Sequence, residues 1–343
     1  MDQKILTPGP LLDEKGNLTE AGYATSLVKD YSREQIKSSQ LRIKEWDYYY
    51  IGNSRYGIAL TIADNSYMGL GSVSVFNFES GFWKTRSVMI FMPKGKTNLP
   101  STSKTGDVSF NHKNLRLDFF NDGKERRLMG HFENFIDHHD FDCDITLRVN
   151  PEHESMVIAT PFSKPRRFYY NQKINHLQAT GRATVGTEEC MFTNSDCFGV
   201  LDWGRGVWTY KNTWYWASLS ALSDGQQIGF NLGYGFGDTS NATENMIFYD
   251  HKAYKTGRVM FIIPKDQKGQ YDYLSPWRFT SEDERVELMF VPILDRHDDT
   301  NALIIKSLQH QVFGKFSGTL VIEGKTLEIR DLVGFAEHVT NCW

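Results

Sequence analysis

A short segment in the second half of the chain combines acidic, basic and aromatic residues at a density suited to chemistry. Residues 199–216 read GVLDWGRGVWTYKNTWYW and include Asp202 and Arg205. A carboxylate in a tryptophan-rich wall loses solvation, which raises its pKa toward neutrality and suits proton transfer. The alternative interpretation is that Asp202 and Arg205 form a buried pair that pins a turn. The tryptophans of the segment are Trp203, Trp208, Trp214 and Trp216.

A second candidate carboxylate, Glu244, follows a glycine-rich aromatic stretch. Residues 233–237 read GYGFG, in which Tyr234 and Phe236 alternate with glycines. Glycines inside a strand mark either a bend at a barrel corner or the close approach of a ligand. The stretch is not a dinucleotide-binding fingerprint, because its spacing is wrong and no parallel βαβ unit surrounds it. Glu244 therefore joins the candidate catalytic residues, and Tyr234 and Phe236 join the candidate ligand-binding residues.

A third candidate lies near the C-terminus, where Glu337 precedes His338. A carboxylate beside an imidazole can tune a group that titrates near neutrality. Adjacent residues on a strand point to opposite faces, so at most one of the two faces a given cavity. We select Glu337 as the acid and keep His338 as a ligand-binding candidate. The alternative is a closing strand whose polar edge is solvated.

The remaining acidic and histidine-rich stretches do not predict a metal site. Asp140, Asp142 and Asp144 share one face of a strand and His139 lies on the other, as expected for a solvated face. No GxSxG nucleophile elbow and no phosphate-binding loop occurs, and neither Cys190 nor Cys197 has a local signature of reactivity. We predict neither a metal nor a cofactor.

Charge and composition exclude two classes of partner. The net charge of −4 offers no basic face for nucleic acid. No basic segment followed by an apolar run opens the chain, and no segment reaches the roughly 18 apolar residues of a membrane span. We expect a cytoplasmic protein without a membrane span. Aromatic residues make up 14% of the chain, which suits strands that pack flat rings.

Two segments in the first half recur in order in the second. Residues 56–76 align with residues 216–236, and residues 85–95 (TRSVMIFMPKG) align with residues 256–266 (TGRVMFIIPKD). A chain of 343 residues also exceeds what one hydrophobic core usually supports. The recurring segments indicate an internal duplication, and both observations predict two domains. In the first pair, Asp64, Gly69 and Phe76 fall on Asp224, Gly229 and Phe236 at a constant offset.

The hydrophobic pattern predicts an all-β protein. From Arg42 onward apolar and polar residues alternate, with turn signals every eight to twelve residues, which is typical of antiparallel sandwiches and barrels. Residues 19–40 are helix-compatible. We therefore expect two lipocalin-like antiparallel β-barrel or sandwich halves related by duplication. The predicted units are a short helical extension at 1–41, a first β domain at 42–170 and a second at 171–343.

Seven short motifs follow one another along the chain: FYYNQK (168–173), FGVLDWGRG (198–206), NLGYGFGD (231–238), TEN (243–245), PW (276–277), HQVFG (310–314) and GFAEH (334–338). Together they resemble the bacterial and fungal family called domain of unknown function 2804. A more distant resemblance joins Asp202-Trp203-Gly204 to hydroxyneurosporene synthase, a carotenoid hydratase, and to AttH-like proteins, which implies two lipocalin-like β domains. In that hydratase group a His or Arg commonly separates the Asp from the Trp-Gly pair, whereas Trp203 follows Asp202 directly here.

Three functions are compatible with these residues. The first is a cofactor-independent hydratase, isomerase or cyclase for a small apolar or amphiphilic molecule, with Asp202 or Glu244 as the acid and Arg205 orienting it. The second is a non-catalytic carrier or sensor with the same aromatic cavity. The third is a carbohydrate-active enzyme that pairs Asp202 with Glu244 or Glu337. The cavity would be lined by Trp203, Trp208, Trp214, Tyr234, Phe236 and His338.

Overall fold

Antiparallel strands form almost the whole molecule. The computed structural model describes residues 3–148, 150–302 and 305–342. Within them the strands make a two-stranded sheet, a 13-stranded sheet and a nine-stranded sheet. Only the small sheet, made of β1 (Gly9–Pro10) and β3 (Lys29–Asp30), is parallel. The predicted all-β class with two antiparallel halves is confirmed by a nearly closed barrel and a half-barrel.

The first large sheet takes its strands from residues 22–207. Its order along the main path is β7-β6-β5-β4-β15-β13-β11-β10-β9-β8, with β12 and β14 on β13 and β2 on β12. The strands are β2 (Gly22–Ala24), β4 (Lys44–Gly52), β5 (Tyr56–Asp64), β6 (Met68–Asn77), β7 (Phe82–Phe91), β8 (Val108–His112), β9 (Leu115–Asn121), β10 (Glu125–Ile136), β11 (His139–Arg148), β12 (Met156–Pro161), β13 (Phe168–Val185), β14 (Glu188–Phe192) and β15 (Phe198–Val207).

The second large sheet takes its strands from residues 211–342 and follows the order β19-β18-β17-β16-β24-β23-β22-β21-β20. In both sheets a four-strand meander is followed by a second meander, and the last strand returns to pair with the first. The strands are β16 (Lys211–Ser223), β17 (Gln226–Tyr234), β18 (Met246–Tyr249), β19 (Lys252–Lys255), β20 (Val259–Ile262), β21 (Trp277–Ser281), β22 (Val286–Ala302), β23 (Ile305–Ile322) and β24 (Lys325–Cys342).

The chain passes from one large sheet to the other between Val207 and Lys211. The predicted start of the second half, residue 171, lies within β13. Strands β13 and β15 belong to the first sheet because β13 continues the pairing from β11 and β15 pairs with β4.

The predicted helical N-terminal extension is wrong. In the described part of residues 1–41, strands β1 to β3 occur with two three-residue 3₁₀ helices, Arg33–Gln35 and Gln40–Arg42, and no α-helix is present there. The backbone of this segment finds its partners in sheets instead, since β2 pairs with β12 and the Leu6 amide donates to the Tyr23 carbonyl. Leu27 and Tyr31 add their side chains to the core of the first half.

The two large sheets meet face to face, which positions the site. Side chains point alternately to the two faces of β4. Those of Asp47 and Tyr49 therefore point into the first half, whereas those of Tyr48 and Tyr50 point toward the second. Tyr49 packs in the core of the first half, whereas Tyr48 and Tyr50 share a buried cluster with Phe335 of the second half. Strand β4 is therefore buried on both faces, and its outward face forms part of the interface.

Candidate active site

A buried ion pair lies at the centre of the interface, on the outward faces of β13 and β15. Lys173 and Asp202 are register partners on these strands, and Lys173 Nζ lies 2.9 Å from Asp202 Oδ1. The same oxygen accepts a hydrogen bond from Asn171 Nδ2 at 2.6 Å. Lys173 and Asn171 thus both contact Oδ1, and within the described part of the chain Oδ2 accepts no hydrogen bond. Asp202 is therefore held in place with one carboxylate oxygen uncommitted.

The ion pair connects directly to the second half of the molecule. Lys173 Nζ lies 4.1 Å from the ring centroid of Trp216, a cation–π contact across the interface. The Trp216 indole donates to Asn231 Oδ1 at 2.8 Å, and Asn231 Nδ2 reaches the backbone carbonyl of Glu244 at 2.8 Å. Its contact to Glu244 Oε2 is longer, at 3.5 Å. Asp202 and Glu244, from different halves, thus belong to one polar network.

A third carboxylate joins the network through Glu337, the register partner of Trp216 on β24. Gln311 Nε2 donates to Glu337 Oε1 at 2.6 Å and contacts the hydroxyl of Tyr48 at 3.0 Å. Arg296 Nη1 donates to Gln311 Oε1 at 2.7 Å. Gln311 therefore bridges Glu337 in the second half to Tyr48 in the first.

Burial controls the electrostatics of these carboxyl groups. Burial raises the pKa of Glu337 to about 7, although the nearby cations Arg296 and Lys173 oppose the shift. Burial also raises the pKa of Glu244. Glu337 is only 5% exposed, so its carboxyl group exchanges a proton near neutral pH inside a low-dielectric interface. This is the property expected of a general acid.

Tyr169 lies on the same face of β13 as Asn171, two residues before it. Burial raises the pKa of the Tyr169 phenol well above its ordinary value, and the charges of Asp202, Glu244 and Glu337 add to the shift. Acids from both halves thus act on one buried phenol.

Large aromatic rings form a wall beside the acids. The ring of Phe236 lies 4.9 Å from Tyr169, 5.2 Å from Trp208 and 5.3 Å from Trp214 by centroid distance. Trp46 stacks on Tyr169 at 5.9 Å. Trp46 and Trp214 retain part of their accessible surface. The faces of such rings attract cations, so this wall can stabilise positive charge that develops on a bound molecule.

An interdomain cavity of about 180 Å³ adjoins the cluster along the strands. Its lining includes Tyr50, Val200, Ser218 and Phe335. Each of these lies two residues from a member of the cluster, namely Tyr48, Asp202, Trp216 and Glu337 respectively. Residues two apart on a strand point to the same side and are about 7 Å apart. The cavity therefore opens on the same face as the carboxylates.

The full-length pattern of the chain assigns it to a family. The sequence profile described as domain of unknown function (DUF2804) matches residues 2–343. The chain belongs to this family. The resemblance stated from the motifs is thereby confirmed. No curated protein matches the DUF2804 chain.

Two solved structures share the fold of this DUF2804 protein. The AttH protein of Nitrosomonas europaea has a TM-score of 0.53 and 13% sequence identity, with 92% of this chain and 98% of that chain covered. Kievitone hydratase from Nectria haematococca has a TM-score of 0.53 and 12% identity, with 97% of this chain and 98% of that chain covered. At this identity the likeness shows the fold, which agrees with the more distant resemblance noted from the sequence.

The structure separates several of the residues that sequence analysis grouped with Asp202. Trp203 and Arg205 lie on the opposite face of β15, in the core of the first half. Arg205 Nη2 pairs with Asp47 at 2.9 Å rather than with Asp202. Strand alternation is the reason, because positions 203 and 205 point away from position 202. The proposed Asp202–Arg205 pair is therefore not formed, and Asp202 pairs with Lys173.

Tyr234 and His338 lie on the inner face of the second half, away from Glu337. The Tyr215 ring stacks between them, with centroid distances of 4.5 Å to each. His338 Nδ1 also lies 2.7 Å from the hydroxyl of Tyr273. The candidates that the structure does bring together at the interface are Asp202, Glu244, Glu337, Trp208, Trp214 and Phe236.

Sequence reasoning missed the partners that connect the acids. Lys173 and Asn171 lie within the FYYNQK motif, where they are two positions apart and so share one face of a strand, and this spacing could have indicated a polar face. Gln311 and Asn231 carry no comparable local signal. Both are fully buried, and the contact of Gln311 with Tyr48 depends on how the two halves dock.

No helix in the described residues combines the length and apolarity needed to cross a membrane. Likewise, no group of three or more His, Cys, Asp or Glu side chains there is arranged to hold a metal ion.

Proposed function

We propose that this protein is a cofactor-independent acid/base enzyme of the hydratase, isomerase or cyclase type, acting on a small apolar or amphiphilic molecule. The observation that carries the proposal is the set of buried contacts that links Asp202, Glu244 and Glu337 at an aromatic interface, with the pKa of Glu337 raised by burial to about 7. An acid that is partly protonated at neutral pH and shielded from water can protonate a weakly basic carbon or oxygen.

Glu337 is the proton donor in this proposal. Its carboxyl proton passes to one carbon of an alkene-like group, which leaves Glu337 as a carboxylate and the neighbouring carbon as a cation. The faces of Trp214 and Phe236 stabilise that positive charge. In a hydratase, water then forms a bond to the cation and releases a proton to Asp202. In an isomerase, Asp202 instead removes a proton from an adjacent carbon.

Lys173 and Asn171 position Asp202 for the accepting role. Their donors occupy Oδ1, which leaves Oδ2 to accept a proton. Glu244 shares the network through Asn231 and supplies a second acid. The presence of a protein named as a hydratase among the structures with this fold favours the same chemistry. A purely apolar carrier would have no use for three buried carboxyl groups, since each costs desolvation energy.

The proposal can be tested without knowing the substrate. The protein is incubated with a small-molecule extract of its host in water carrying heavy oxygen and deuterium, and products are followed by mass spectrometry. A hydratase adds both labels to a product, an isomerase or cyclase incorporates deuterium alone, and a carrier incorporates neither. Glu337→Gln should abolish incorporation, whereas Glu328→Gln, at an exposed position of the same strand, should not change it. Labelling of a glycosidic hydrolysis product would instead support the carbohydrate-active alternative.

A further inference from the structure

A second cavity of about 280 Å³ is lined by residues that the carboxylate network does not use. It lies between the halves, because Gln178 comes from the first sheet and Gln227 from the second. Three histidines, His153, His176 and His251, line it as well. The centroid of the His153 ring lies 5.6 Å from that of the His176 ring and 5.7 Å from that of the His251 ring. The cavity is therefore polar, in contrast to the aromatic wall.

The hydrogen bonding of His176, a residue of the cavity lining, defines which of its ring nitrogens is an acceptor. Its Nε2 lies 3.0 Å from the carbonyl oxygen of Ile228, so Nε2 must carry the hydrogen. Nδ1 then carries a lone pair. His176 is 2% exposed, and its Nδ1 has no hydrogen-bond partner among the described residues. A buried acceptor without a donor is costly, so a donor supplied by a ligand would be stabilised there.

His176 is held in this orientation at some conformational cost. It occupies the irregularity of β13 between Ile174 and Leu177, with φ of +55°. A left-handed conformation is unfavourable for a residue with a side chain. Gly229 makes room for the ring, because a Cβ there would come within 2.7 Å of His176 Cε1. Two local features thus combine to direct this imidazole across the interface.

Other buried polar atoms of the cavity also have no partner in the described part of the chain. These atoms are Gln227 Oε1 and His153 Nε2. Gln227 Oε1 is an acceptor, like His176 Nδ1. His153 Nδ1 lies 3.5 Å from His251 Nδ1. The cavity thus offers at least two buried acceptors, one from each half.

The lining favours a neutral ligand. Burial lowers the pKa of His176 to about 3 and that of His153 to about 4, so both rings are neutral at pH 7. Among the described residues that line the cavity, Arg148 is the only cation and none is a carboxylate; Arg148 pairs with Glu125 at 3.1 Å. An anion would meet imidazole lone pairs, and a cation would find no counter-charge. The histidines also do not belong to any group arranged for a metal ion among the described residues.

We propose that this cavity binds a neutral polyhydroxylated molecule of about monosaccharide size. Its hydroxyl groups donate to His176 Nδ1 and Gln227 Oε1. A hydroxyl both donates and accepts, so the same molecule can accept from the amide N–H groups of Gln178. The volume of about 280 Å³ is near the lower end of the roughly 300–1,000 Å³ typical of small-molecule sites. This site is independent of the acid/base site proposed above.

The test uses myo-inositol and glucose as probes, followed by nitrogen–proton NMR of the histidine rings in the full chain. A saturable shift of the His176 signals is expected with at least one probe. Gln227→Met should weaken binding about three- to tenfold, as loss of one neutral hydrogen bond predicts. Gln226→Met, at the exposed neighbouring position, should bind like the unmodified protein.

Three results would overturn the inference. They are the absence of a saturable shift with both probes, unchanged affinity in Gln227→Met, and saturation by methylammonium or phosphate instead of the polyols. Glu337→Gln serves to separate the two proposals, because it lies outside this cavity. It should bind the polyol normally even if the acid/base proposal fails.

Discussion

Lys173 and Asp202 face each other on neighbouring strands at 2.9 Å, and the ring of Trp216 from the other half covers the lysine. The side chains of Lys173 and Asp202 are only 4% and 11% exposed. An ion pair of this kind is enclosed only when the two halves are docked. It links the stability of the interface to the integrity of the site.

Removal of the lysine should therefore destabilise the protein strongly. Lys173→Met leaves the Asp202 carboxylate buried without its cation, and such changes cost about 3–5 kcal/mol. Urea unfolding measures the difference. Arg330→Met, which removes an exposed ion pair from Glu328, is the control and should leave stability almost unchanged. Equal stability of Lys173→Met and the unmodified protein would show that the ion pair is not enclosed as described.

Glu337→Gln should stabilise the protein in a pH-dependent way. The folded-state pKa of Glu337 is raised from 4.5 to about 7, so the folded state binds this proton more tightly than the unfolded state. Its favourable contribution is fully present below pH 4.5 and is lost as the pH rises through 7. The variant should thus gain stability relative to the unmodified protein between these values, by on the order of 3 kcal/mol at most. A stability difference that does not vary with pH would contradict the raised pKa.

Arg205 should prove structural rather than catalytic. It is fully buried on the inner face of β15 and donates to Asp47, at 2.9 Å, and to the backbone carbonyls of Trp46 and Pro100. Arg205→Met leaves Asp47 unpaired and should cost about 3–5 kcal/mol in the free energy of unfolding. In the isotope-labelling assay proposed above, the amount of deuterium incorporated into product per folded protein molecule should equal that of the unmodified protein. A selective loss of incorporation in a fully stable variant would restore the idea that Arg205 acts on Asp202.

Gly204 should be required for the placement of Trp46. A Cβ at Gly204 would come within 2.2 Å of the Trp46 ring, so Gly204→Ala must displace that ring. Overpacking of this kind costs roughly 1–3 kcal/mol. Near-ultraviolet circular dichroism reports the ring and thermal unfolding reports stability. On the same strand, Gly199→Ala meets only the flexible end of Leu147, at 3.2 Å, and should be tolerated.

The fold was predictable from the sequence because alternation and turn signals are local properties. The duplication was also predictable, although its residue-level alignment is one strand out of step with the topology. Residues 56–76 cover β5 and β6, whereas residues 216–236 fall on β16 and β17, which are topologically equivalent to β4 and β5. Hairpins within a meander resemble one another, so short matches fit a neighbouring hairpin almost equally well.

The site was predictable only in part. Asp202, Glu244 and Glu337 were identified because carboxylates beside aromatic residues stand out in a strand. Arg205 was chosen as the partner of Asp202 because the two residues are close in sequence. Strand pairing instead places Lys173 next to Asp202. The bridging role of Gln311 depends on the docking of two sheets, for which the sequence holds no local signal.

Glu337 is an acid poised near neutrality inside the interface, so the titration of its carboxyl group is the decisive observation. Isotope-edited infrared spectroscopy of labelled glutamate follows this titration, with Glu337→Gln used to assign the carboxyl band. A protonated carboxyl band should disappear with a midpoint at about pH 7. A midpoint near the ordinary glutamate value of 4.5 would show that burial does not raise the pKa of Glu337.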